Sequence, residues 1–181
     1  MGNRERGDEN GDEENAVLEL TTRRKLYQLI RNNPGVHFRE LQRLSQFAMG
    51  VLEYQLQILE KENLISKVKH GPYTRYFAKG DMPYSDWKIA CYLRQGIGRK
   101  IILYLIYHPG AKHKDLKEAL NLPPSTVSYY LQQLLKDEIV LQKDKRYWVK
   151  DSKRVMRILI TYKPSFFDEI TARLVDLWSS I

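Results

Sequence analysis

Cysteine is nearly absent: Cys91 stands alone, so neither a disulfide nor a multi-thiolate zinc site can form within one chain. The four histidines, His37, His70, His108 and His113, fall in expected turns or helix starts without ligand spacing, so no metal or other cofactor is expected. There is no Gly-rich phosphate loop, no nucleophile elbow and no paired catalytic carboxylates on a common face, which argues against an enzyme. Nor does any apolar run approach a membrane span, and no charged-then-apolar leader for export is seen. A soluble, cytoplasmic protein with no membrane partner is the expectation.

Acid is unevenly supplied. The first 15 residues carry Arg4 and Arg6 against Glu5, Asp8, Glu9, Asp12, Glu13 and Glu14, a net −4, so the total of +8 leaves +12 on the remainder. With almost nothing to bury, residues 1–16 read as a disordered acidic tail. A body this basic attracts polyanions: DNA, RNA or an anionic membrane.

What is present is organised around His108 to Val140, HPGAKHKDLKEALNLPPSTVSYYLQQLLKDEIV. Pro109 and Gly110 stop an earlier helix, Lys112 to Leu120 makes a short one, and the chain breaks at 121–124. Ser125 and Thr126 offer capping hydroxyls to a further helix, with Pro124 in its first turn. At 100° per residue, Val127, Leu131 and Leu134 share one line, and Ser125, Tyr129, Gln132 and Lys136 share the opposite one. That outer line, with Thr126 and Ser128 beside it, holds hydroxyl, phenol, amide and ammonium groups but no acid. Such a row suits base edges and phosphates, as a recognition helix in a major groove requires.

The stretch occurs twice. A shift of 75 positions lays Pro34 and Gly35 on Pro109 and Gly110 without a gap from Arg24 to Ile65. Core identities recur (Leu41 with Leu116, Leu56 with Leu131, Leu59 with Leu134), and so do outer ones: Tyr54 with Tyr129, Gln57 with Gln132, Lys61 with Lys136. Repetition of the outer residues points to one inherited surface task. In the first copy, helices are expected at about Thr22–Asn32, Phe38–Ser45 and Met49–Glu62, the last presenting Met49, Gly50, Tyr54, Gln57 and Lys61 outward.

Each copy continues into a β-hairpin with a basic tip, or wing. The first, LISKVKHGPYTRYFAKG, brings Lys67, Lys69 and Arg75, and the second, IVLQKDKRYWVK, brings Lys143, Lys145 and Arg146, all placed to follow DNA backbone or enter a minor groove. Between the copies, Ser85 is expected to cap a linker helix that ends at a Gly96-Ile97-Gly98 break. A helix over 152–162, a break at Pro164 and a final helix capped by Ser165 follow. The apolar stripe of that last helix, Phe167, Ile170, Leu174, Leu177 and Ile181, fits either packing within the monomer or a homodimer seam. The fold class is mainly α with small β-hairpins (α+β): a first winged helix-turn-helix domain at 17–80, a linker helix at 81–96, a second winged domain at 97–150 and C-terminal helices at 151–181.

The two core repeats and the ending YKPSFFDEITARLVDLWSSI resemble archaeal winged-helix transcription regulators with two tandem ArsR- or MarR-like domains, among them those that switch on archaellum genes. The resemblance covers most of the chain after about Val17. It implies a nucleoid-associated protein whose partners are double-stranded promoter DNA and the basal transcription factors. The first copy departs from the second, with Ala48, Met49, Gly50 and Glu53 in place of Pro123, Pro124, Ser125 and Ser128, which shifts the expected base reading to the second domain. A winged-helix scaffold for protein assembly is the alternative, set against the basic wings and the acid-free outer line. RNA is less apt, because single-strand readers usually stack bases on a sheet.

Overall fold

A computed structural model describes residues 8–162 and Phe166, with side chains from Leu20 onward. The chain divides into two units between Met82 and Pro83. The first runs α1 (Asp8–Asn32), β1 (Val36–His37), α2 (Phe38–Ser45), α3 (Met49–Lys61), β2 (Ile65–His70) and β3 (Tyr73–Ala78). The second runs α4 (Tyr84–Arg94), α5 (Gly96–Tyr107), β4 (Ala111–Lys112), α6 (His113–Leu120), α7 (Pro124–Lys136), β5 (Val140–Lys143), β6 (Arg146–Val149) and α8 (Ser152–Thr161).

The repeat extends to the backbone. Each unit holds a three-stranded antiparallel sheet, ordered β1-β3-β2 in one and β4-β6-β5 in the other. The short strands β1 and β4 are absent from the hairpin-only expectation, because two residues carry no readable alternation. They are fixed by register, Val36 opposite Tyr76 and Ala111 opposite Tyr147, and by Gly35 and Gly110 donating their backbone N–H to the carbonyls of Tyr76 and Tyr147, both at 2.9 Å. Left-handed residues also recur at the same offset: Gly35 with Gly110, Gln46 with Asn121, and Asn63 with Glu138. At the last pair the side chain is held from the end of the hairpin, Lys79 Nζ donating to Asn63 Oδ1 and Lys150 Nζ to Glu138 Oε2 at 2.8 Å.

The apolar lines expected to face inward do so. Leu26, Ile30, Val36, Leu41, Leu52, Leu56, Leu59 and Ile65 form the first core, and Ile101, Leu105, Leu116, Val127, Leu131 and Leu134 are buried in the second unit. Between α6 and α7, His113 Nε2 lies 2.9 Å from Ser128 Oγ; the first unit has Phe38 and Glu53 at those positions.

Several boundaries differ from the expectation. Helix α1 begins at Asp8 rather than Thr22, so residues 8–16 continue a helix instead of forming a disordered tail; acids near a helix N-terminus are favoured by the macrodipole, a term that composition alone omits. Neither Ser85 nor Ser125 or Thr126 caps a helix. Pro83 and Pro123 hold those N-cap positions, without side-chain bonds. Ser85 Oγ instead accepts from Arg154 Nη2 at 2.5 Å, and Arg154 pairs with Asp86. The expected break at Gly96 to Gly98 falls at Gln95, which is extended, and the glycines begin α5. The expected linker helix α4 belongs to the second unit, burying Trp87, Ile89, Ala90 and Leu93 and packing on α5 and α8. It also fastens the end of α7: Asp137 accepts from Lys88 Nζ at 2.6 Å and from the Tyr92 hydroxyl at 2.7 Å. Phe166 is buried and lies under the Arg94 guanidinium. The Pro164 break, the Ser165 cap and the apolar stripe from Phe167 to Ile181 lie outside the described residues.

Two glycines make a stability test. Gly110 has φ +82°, and a Cβ there would meet the Trp148 ring at 3.2 Å, whereas Gly50 is helical and a Cβ there meets nothing within 4 Å. Gly110→Ala is expected to cost at least about 1–2 kcal/mol, and Gly50→Ala to be neutral or to stabilise by up to about 1 kcal/mol. Urea unfolding of the two variants checks both signs.

Candidate nucleic-acid interface

Helices α2–α3 and α6–α7 each form a helix-turn-helix, in which the buried line of the second helix fixes the direction of its opposite face. On α7 this face presents Ser125, Tyr129, Gln132 and Lys136, all exposed, with Tyr129 53% accessible. From Ser125 to Lys136 the row extends about 16 Å at 1.5 Å per residue, enough to follow a major groove some 12 Å wide. The Tyr129 ring meets Tyr130 edge-on at 5.4 Å between centroids, which limits the orientations open to the phenol. Thr126 and Ser128 are half-buried, and the Ser128 hydroxyl is engaged by His113. Ser128 thus helps to set the angle between α6 and α7 as well as flanking the exposed row.

On α3, Met49, Gly50, Tyr54, Gln57 and Lys61 are exposed, as is Glu53. Val51 joins them at 43% accessibility; a one-line projection of the helix overlooks it because it sits two residues from Met49. Behind the helix, Gln55 is buried, its Oε1 accepting from Arg23 Nε at 3.0 Å. The polar residue of α3 that faces inward is thereby satisfied by α1 and is not part of the outer face.

The wings hold fewer available cations than the sequence suggests. Arg75 is 3% exposed, with Nη1 donating to the Gly35 carbonyl at 2.8 Å and its guanidinium over the Tyr73 ring. Arg75 is thus a clamp within the domain and not a cation placed to follow DNA backbone. Strand alternation turns it inward, where it ties β1 to β3. Arg146 repeats the bond to the Gly110 carbonyl at 3.0 Å but stays exposed. Lys67 is paired with Glu60 at 2.8 Å, and the hydrogen bond and charge of that carboxylate raise its pKa. Lys69, Lys143 and Lys145 are exposed, the last beside Asp144 in a tight turn whose two residues both have positive φ, the type I′ pattern. Tyr73 stacks on His37 at 4.9 Å, joining the tip of the first hairpin to the start of α2.

Among the described residues no cluster of His, Cys, Asp or Glu could hold a metal ion, and no helix is long and apolar enough to cross a membrane. The geometry offers two exposed helix faces with basic hairpins, suited to an extended anionic partner.

Comparison with known proteins agrees with this geometry. Residues 20–90 match a family described as an N-terminal HTH domain, and residues 94–140 match a family described as winged helix-turn-helix DNA-binding. The chain is also 38% identical over 133 residues to an uncharacterized HTH-type transcriptional regulator of Methanocaldococcus jannaschii, across 74% of this chain and 33% of that protein. It thus spans about a third of the length of that relative.

The buried Arg75 and the exposed Lys69 separate by measurement. Arg75→Gln is expected to lower stability by about 1–3 kcal/mol, because it leaves the buried Gly35 carbonyl without its donor. Lys69→Gln is expected to stay within about 0.5 kcal/mol. Chemical denaturation of both variants provides the check.

Proposed function

We propose that this tandem winged helix-turn-helix protein is a sequence-specific, double-stranded DNA-binding transcription regulator. In this reading α3 and α7 enter major grooves, and the exposed wing lysines follow the backbone or a minor groove. The carrying observation is the repeated outer trio, Tyr54, Gln57, Lys61 and Tyr129, Gln132, Lys136, exposed on the second helix of each helix-turn-helix. A glutamine offers a donor and an acceptor that match adenine N7 and N6, and a lysine at the far end of the same line suits phosphate or guanine. The basic body supplies the attraction that does not depend on sequence. The HTH-type regulator to which the chain is similar favours a regulatory role, with promoter DNA and the basal transcription machinery as its surroundings.

The second domain is the stronger candidate for base readout, since its outer line holds no acid, whereas α3 carries Glu53. Two heads in one chain also act as a built-in pseudo-dimer. A homodimer through the C-terminal stripe would double that number.

Titrations against selected and random duplexes at several salt concentrations test this reading. Gln132→Ala is expected to weaken cognate binding by about 1–3 kcal/mol while barely changing binding to random duplex. Neutralising Lys143 and Lys145 is expected to lower the salt-dependence slope by about 2 with specificity retained. Equal losses on both duplexes for Gln132→Ala, or an unchanged slope for the lysine pair, contradict the respective assignments.

A further inference from the structure

The outer face of α3 carries groups that phosphate binding cannot use. Met49 is 56% exposed and Val51 43%; two residues apart, they stand on either side of Gly50, about 200° from each other around the helix, and Glu53 is exposed one turn beyond Met49. Between Met49 and Val51 lies Gly50, where a Cβ would meet nothing in the protein and the backbone is not left-handed. A glycine in a helix is destabilising relative to alanine, so nothing inside the domain calls for it. Exposed apolar side chains around a bare backbone position suit a partner that approaches closely and presents small apolar groups.

Duplex DNA offers one such group in its major groove, the thymine C5-methyl, and beside it the cytosine amino group that a glutamate accepts from. A carboxylate repels phosphates, which directs this face to base edges and away from the backbone. The charge of the unit supports a DNA partner: residues 20–82 hold 11 Lys and Arg against 5 Asp and Glu. At the corresponding place α7 presents Ser125, a hydrogen-bonding group.

Resting on the DNA reading above, we propose that α3 recognises thymine methyl groups through Met49 and Val51, with Gly50 admitting the base edge close to the helix backbone. The first domain then adds methyl recognition to the hydrogen-bonding groups that the two outer lines share.

The test uses the full chain and the duplex it selects from a random pool, prepared with thymine or with deoxyuridine in one half-site at a time. Deoxyuridine in the half-site facing the first domain is expected to weaken binding about fourfold per contacted methyl, the scale of one buried methylene. The double variant Met49→Ala, Val51→Ala is expected to bind the two duplexes alike. Equal binding of both duplexes by the wild type overturns the inference and leaves the DNA reading standing, and a uracil effect that survives in the double variant overturns it as well. A double variant with altered mass in light scattering but the wild-type thymine preference makes this face a protein surface, and also overturns it. Failure of the wild type to bind any duplex removes the DNA reading itself and the inference with it.

Discussion

Burial of three residues on the second helix of each helix-turn-helix, Leu52, Leu56 and Leu59 on α3 and Val127, Leu131 and Leu134 on α7, is the constraint on which the rest of the structure depends. Each such side chain contributes about 1.5–3 kcal/mol when removed from water, and together they leave the helix no rotational freedom. With the inner line fixed, 100° per residue fixes the outer one, so Tyr54 and Gln57 on one helix and Tyr129 and Gln132 on the other face outward as a consequence of packing. Hydrophobic burial and the candidate interface are two sides of one placement.

The remaining elements hold those helices in position. The αL residues Gln46 and Asn121 end α2 and α6 at equivalent points, and Asp115 accepts the backbone N–H of Lys112 at 2.8 Å to start α6. Arg75 and Arg146 then bind the carbonyls of Gly35 and Gly110, closing each sheet around the turn that precedes the helix-turn-helix. In the second unit α4 adds a further anchor at the C-terminal end of α7, where burial and the hydrogen bond to Asp137 raise the pKa of the Tyr92 phenol and keep it protonated. These bonds are modest singly, about 0.5–1.5 kcal/mol each. The recurrence of the two arginine bonds and of the αL residues at equivalent places marks those parts of the repeat as scaffold.

Much of this was legible in the sequence, because apolar periodicity and the shift of 75 residues bear directly on helix faces. The bounds of α2 and the inward line of α7 follow from it. Strands β1 and β4 were not legible, since two residues have no pattern and their existence depends on pairing with a distant hairpin. The role of Arg75 was hidden for a related reason: a basic residue in a basic hairpin reads as a surface cation, and only strand alternation shows that it turns inward. The start of α1 is not legible because acidic composition and the weak helix formers Asn10, Gly11 and Asn15 argue against a helix, while acids at a helix N-terminus are favoured by the dipole. At the candidate interface, the outer residues of both helices could be named from the sequence, but the tie between Ser128 and His113 joins residues whose proximity depends on the angle between two helices.

Selection of duplexes from a random pool by the full chain, followed by sequencing of the bound fraction, bears most directly on the claim that both outer faces read DNA. Two enriched blocks are predicted, one weakened by Gln132→Ala and the other by Gln57→Ala. A bound pool indistinguishable from the random input would contradict the claim.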